Sequence, residues 1–158
     1  MNWNKKERKE ENIYGKNGDD QRLLFCLDME RRQTLRPKFE KLGLTPGQPG
    51  VLKALLKKTE ITQKELAQMC HVDQTTLSRN LDKLVQLGYV ERKTDEECRR
   101  CFLISLTPTG SEKAKEVSIV FQELEKRLTN GFSEEEQKML YSYLERMLCN
   151  LRNEEVSL

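Results

Sequence analysis

The chain alternates between long stretches with apolar residues at helical spacing and short apolar runs closed by polar turns. Leu24, Leu27, Leu35, Phe39 and Leu42 share one helical face from Gln21 onward, and Gly43 is a C-terminal stop. Pro37 lies inside that run and is expected to bend or break the helix. Thr45-Pro46-Gly47-Gln48 combines a Thr cap, a Pro at the first helical position and a Gln two places on, which predicts a second helix to about Lys58. Ile61 falls in a short extended link. Thr62-Gln63-Lys64-Glu65 is a capping box, so a third helix is expected over 63–70.

Asp73 caps a fourth helix with Leu77, Leu81 and Leu84 on one face and Gly88 at its end. Tyr89 to Lys93 and Cys101 to Leu106 read as strands about the polar turn Thr94-Asp95-Glu96-Glu97, which makes a hairpin. Thr107-Pro108 opens a fifth helix carrying Val117, Val120, Leu124 and Leu128, and Asn130-Gly131 breaks it. Ser133 and the three glutamates after it open a sixth, with the stripe Met139, Leu140, Tyr143, Leu144, Met147, Leu148 and Leu151. That stripe is wider than one small domain can cover, so an obligate two-fold dimer through the terminal helices is expected.

The resulting order is three helices, a recognition-type helix, a hairpin and two more helices. It implies a mainly α (α+β) fold, a winged helix-turn-helix with dimerisation helices at both ends. Within 63–79, Ala67 is the small residue needed where two helices cross most closely, and Leu66, Cys70, Val72 and Leu77 lock their angle. His71 stands where such turns commonly have Gly, and histidine is one of the side chains that tolerates positive φ. The outward positions of the fourth helix, Gln74, Thr75, Thr76, Ser78, Arg79 and Lys83, are then the candidate readers of double-stranded DNA. Arginine can pair bidentately with guanine and glutamine with adenine, while hydroxyls suit bases or phosphates.

On these residues the chain resembles the MarR family of winged-helix regulators, named for multiple antibiotic resistance. The similarity is carried by Gly43-Leu44-Thr45, Thr62 to Ala67, Leu84 to Arg92 and Ile104 to Gly110, within about residues 21–152. The resemblance implies a DNA-binding lobe over 45–107 and dimerisation helices over 21–43 and 108–152. It also implies a homodimeric repressor on a pseudo-palindromic operator, released by a small-molecule effector. The family's wing carries an Asp-x-Arg element, which here reads Cys98-Arg99-Arg100. Arg100 thereby inherits a minor-groove role and Arg99 a phosphate contact, with Cys98 in place of the orienting Asp. The resemblance also implies a ligand cleft between the DNA-binding lobe and the dimerisation helices, with Leu24, Leu27 and Phe39 as candidates for its lining, though such residues are more often simple core and the ligand-binding residues are unknown.

Composition narrows the remaining classes. Charged residues make 34% and hydrophobic ones 36% of the chain, as amphipathic helices require, and a net charge of +2 does not mark a generic polyanion binder. From 62 to 105, seven cations face seven carboxylates, so any positive surface must come from their arrangement. With no membrane-length apolar run and no signal peptide at the N-terminus, a cytoplasmic protein is expected, with tails over 1–20 and 153–158. One histidine, no Gly-rich phosphate loop and no paired nucleophile and base argue against an enzyme, and no cofactor or metal is expected. Five cysteines read as ordinary thiols, with packing the role expected of Cys26. Two alternatives stand beside the DNA reading: a redox- or metal-responsive regulator using Cys98 and Cys101, and a winged helix that binds protein through the Arg79 face.

Overall fold

A computed structural model describes residues 20–58, 60–94 and 102–152. Along them run α1 (Asp20–Lys41), α2 (Gln48–Leu55), β1 (Ile61–Thr62), α3 (Gln63–Cys70), α4 (Gln74–Gln86), β2 (Val90–Thr94), β3 (Phe102–Leu106), α5 (Pro108–Leu128) and α6 (Glu134–Arg152). The expected tails, most of the wing turn, and Cys98, Arg99, Arg100 and Cys101 lie outside the described residues.

Local expectations for α1 and α2 need correction. α1 is not broken at Pro37 and continues to Lys41. The missing amide would have served the carbonyl of Gln33, and both residues are exposed, so water can satisfy that carbonyl while buried Leu35 and Phe39 hold the helix from its other side. α2 begins at Gln48, not Pro46, because Gly47 precedes it with φ 92° and ψ −38°. Thr45 supplies no side-chain cap; its amide instead donates to Oε1 of buried Gln48 at 2.8 Å. α2 also stops at Leu55, since the amides of Lys57 and Lys58 turn back to Ala54 and Leu55 in tighter i→i+3 bonds. Finally, the extended link at Ile61 is a strand, with Ile61 opposite Ile104 and Thr62 opposite Leu103. Two residues are too short to display a strand period in sequence.

The sheet has the order β1-β3-β2, antiparallel throughout, with Val90 opposite Leu106 and Thr94 opposite Phe102. Its central strand buries Ile104 completely. Leu52 and Leu55 of α2, Leu66 of α3, and Leu77, Leu81 and Leu84 of α4 close over it, and Ala114 and Val117 of α5 complete the core. The start of α5 is pressed against the end of the α4–β2 connection. Thr107 caps α5 through the amide of Gly110, and its hydroxyl donates to the carbonyl of Gly88 at 2.6 Å. A Cβ on Gly110 would fall 1.7 Å from the carbonyl oxygen of Tyr89, so only glycine permits this approach.

The terminal helices divide sharply. The second half of α1 packs on α5, with the Phe39 and Phe121 rings 5.2 Å apart, Lys53 over Phe121, and Lys38 paired to Glu123 at 2.7 Å. The first half of α1 exposes Leu23, Leu24, Phe25 and Leu27, and α6 buries none of its residues.

Candidate nucleic-acid interface

The reading helix is positioned by polar bonds at its entrance and apolar burial along its back. In the Thr62 capping box the Glu65 amide donates to Thr62 Oγ1 at 3.2 Å and the Thr62 amide to Glu65 Oε2 at 3.1 Å, which starts α3 at a defined residue. The Thr62 hydroxyl and amide hold the Glu65 carboxyl below its ordinary value. Ala67 is buried at the crossing with α4, and the chain turns at His71, φ 52° and ψ 43°, the one non-glycine residue with positive φ among those described. The amides of His71 and Val72 donate to the carbonyls of Gln68 and Ala67 at 3.1 Å each, closing the helix end that glycine usually closes.

α4 then opens on Asp73, whose carboxylate accepts from the Thr76 amide at 2.8 Å and from its hydroxyl at 2.6 Å. Those bonds hold the Asp73 carboxyl below its ordinary value. Because Leu77, Leu81 and Leu84 are fully buried, the helix cannot rotate without unpacking the core, and its opposite face is fixed outward. Gln74, Thr75, Thr76, Arg79 and Lys83 are all exposed there, and Ser78 is half-buried at the edge. Thr76 is less available than its position suggests, since its hydroxyl proton is committed to Asp73. Arg99 and Arg100 lie outside the described residues.

The even charge count resolves through geometry. Asp73 and Glu65 are occupied in caps, Asp82 pairs with Arg92 at 2.7 Å, and Glu91 accepts from Ser105 and pairs with Lys93 at 3.2 Å. Lys64, Arg79 and Lys83 make no ion pair among the described residues, so the four described carboxylates are engaged in caps and pairs while these three cations are not. The sequence placed Arg92 among the cations and in the Leu84–Arg92 stretch, but gave it no partner on α4.

Other expectations separate. Leu24 and Leu27 are exposed while Phe39 is core against Phe121, so the three do not line one cleft. Instead a groove of about 470 Å³ lies at the helix turn, lined by residues of α3 and the start of α4, among them Lys64, Gln68, His71 and Gln74, together with Arg152 of α6. Cys26 is exposed, so it does not serve packing within the described chain. Burial raises the Cys70 thiol above its ordinary value, which makes it a packing residue rather than a nucleophile. No described group of three or more His, Cys, Asp or Glu side chains could hold a metal ion. No described helix is long and apolar enough to cross a membrane.

Comparison with known proteins agrees with this geometry. The model of the MarR family matches residues 42–100. The chain is 30% identical over 128 residues to the multiple antibiotic resistance protein MarR of Escherichia coli, spanning 80% of this chain and 89% of that protein. It is 27% identical over 124 residues to the HTH-type transcriptional regulator BilQ of Clostridium symbiosum, spanning 78% and 80% respectively. Among solved structures it is similar to a mutant MarR from E. coli complexed with operator DNA, with a TM-score of 0.72 and 29% identity over 81% of this chain and 92% of that one.

Proposed function

The chain belongs to the MarR family of DNA-binding transcription regulators, and from that premise we propose that it is a homodimeric repressor released from a pseudo-palindromic operator by a small ligand. It is a transcription regulator, not an enzyme. One observation carries the reading: α4 has a fully buried back and an outward face whose cations, Arg79 and Lys83, have no ion-pair partner among the described residues. In the major groove, Arg79 pairs with guanine and Gln74 with adenine, while Thr75 and Ser78 contact bases or phosphates. Thr76 acts as an acceptor only, its proton being held by Asp73. Lys83 meets the backbone from the far end of the helix. Arg100 enters the minor groove and Arg99 a phosphate, in keeping with the family's wing.

The dimer follows from the unpaired apolar faces of α6 and the first half of α1. Two-fold pairing sets two copies of α4 about 34 Å apart, one DNA turn, which is what a palindromic site requires. The test is to enrich duplexes from a randomised pool with the full chain and then titrate Arg79→Ala on the product. Enrichment of a two-fold-symmetric sequence is expected, and Arg79→Ala should lower affinity by about 1 to 3 kcal/mol while relaxing one position in each half-site. An enriched site without symmetry would count against the dimer, and unchanged specificity in Arg79→Ala would remove it from the reading set.

A further inference from the structure

The contact between α4 and β2 contains a polar bridge that core packing does not require. Arg92 stands on β2 opposite Ile104, its side chain largely covered, and reaches across to α4. Nη1 meets Asp82 Oδ1 at 2.7 Å, and Nη2 lies 3.4 Å from the backbone carbonyl of Ser78. Ser78 and Asp82 are four residues apart, so the planar guanidinium spans one turn of the reading helix. A carbonyl within a helix keeps a second lone pair after serving the ladder, which is what Nη2 uses. The Nε–H, in contrast, is buried with no hydrogen-bond partner among the described residues.

That last fact separates a structural role from a functional one. A buried, unsatisfied donor opposes folding, and an apolar side chain of similar volume at such a place is often neutral or better for stability. Stability alone therefore gives little reason for an arginine here. What the arginine adds is direction: leucines hold α4 against the core, but a fork fixed on one carboxylate and one carbonyl sets its rotation and slide relative to the strand that leads into the wing.

We propose that Arg92 is a positioning residue for DNA reading, clamping α4 to β2 so that the helix and the wing meet their grooves in one fixed relation. It acts through Asp82 and Ser78 and does not touch DNA. The inference rests on the reading that α4 and the wing contact DNA, and it adds which residue couples them. It separates specific from non-specific binding: only a cognate site requires both elements in exact register, whereas a non-cognate duplex is held by phosphate contacts that tolerate a few degrees of play.

The experiment compares the full-length wild type with Arg92→Lys, Asp82→Asn and the double variant. The probes are the duplex that wild type enriches from a randomised pool and a shuffled duplex of the same composition, each over a salt series, with the folded fraction measured in parallel. Arg92→Lys keeps the charge and loses the fork. It should cut affinity for the enriched duplex about tenfold, the loss of one charge-assisted bond, while leaving the shuffled duplex and the salt slope unchanged. Asp82→Asn should produce a loss of the same kind, and the double variant no more than the larger single effect. An unchanged ratio of the two affinities in folded Arg92→Lys would overturn the proposal, as would additive losses. An equal fall on both duplexes would make Arg92 a phosphate contact instead and overturn the clamp. A wild type that enriched no sequence at all would overturn the DNA reading, and the clamp with it.

Discussion

Two amphipathic helices of this chain meet opposite fates. α4 has 13 residues and buries Leu77, Leu81 and Leu84 of its apolar stripe at 0% exposure. α6 has 19 residues and an equally regular stripe, yet Met139 is 51%, Tyr143 56% and Leu151 84% exposed. Periodicity reports that a face is apolar but does not say what covers it. For α4 the cover is close in sequence, from α3 before it and β2 after it. In α6 the described chain buries no residue, and in the first half of α1 it leaves Leu23, Leu24, Phe25 and Leu27 exposed. The contrast locates where the molecule is complete by itself and where it is not.

The largest expected effect breaks the complete side. Leu81→Ala should cost about 2 to 5 kcal/mol, because a filled position in a closed core cannot collapse around the loss. Its denaturation midpoint should fall by the same free energy at every protein concentration. Paired substitution of Leu144 and Leu148 by Asp should behave differently. Since no residue of α6 is buried within the described chain, its effect should fall on the concentration-dependent part of stability, which vanishes. A large, concentration-independent loss in that variant would show that α6 packs within its own chain.

A smaller effect concerns the entrance of the reading helix. Asp73→Ala should cost about 1 kcal/mol by removing the cap. Asp73 also carries a pH signature. Its folded carboxyl lies below the ordinary value of 3.8, held there by the Thr76 hydroxyl and amide. A depressed carboxyl contributes stability above its unfolded pKa and loses it as pH falls through the folded value. The stability difference between wild type and Asp73→Ala should therefore shrink from just above pH 3.8 downward; a difference constant across that window would mean that the charge plays no part in the cap.

The smallest effect has the opposite sign. His71 holds φ 52° without being glycine, so His71→Gly should stabilise the chain by about 0.5 to 1 kcal/mol, visible as a raised thermal midpoint. A lowered midpoint would indicate that the His71 side chain contributes contacts worth more than the strain.

Legibility in the sequence followed the range of the interactions. The Thr62–Glu65 box and the Asp73 cap were readable because they are bonds between residues three apart, and the structure forms both. The Thr45 cap was misplaced, because Gly47 at positive φ delays the helix and Gln48 reaches back to do part of the cap's work. Pro37 was overestimated: a missing hydrogen bond is costly when its carbonyl is buried, and here it faces solvent. In the candidate site the outward set on α4 was readable from the Leu77, Leu81, Leu84 face alone. The Arg92–Asp82 pair was not, since a contact across ten residues between helix and strand has no fixed spacing to recognise. Nor could a charge count show that the carboxylates would be spent in caps and pairs, leaving Arg79 and Lys83 outward.

Pairing of two chains through the exposed faces of α6 and α1 would let two copies of α4 read one site. Sedimentation of the full-length chain at micromolar concentration, alone and on its enriched duplex, checks that pairing, with twice the chain mass expected in free solution and two chains per duplex, half-sites about 34 Å apart. A monomer at that concentration, or one chain per duplex, would contradict it.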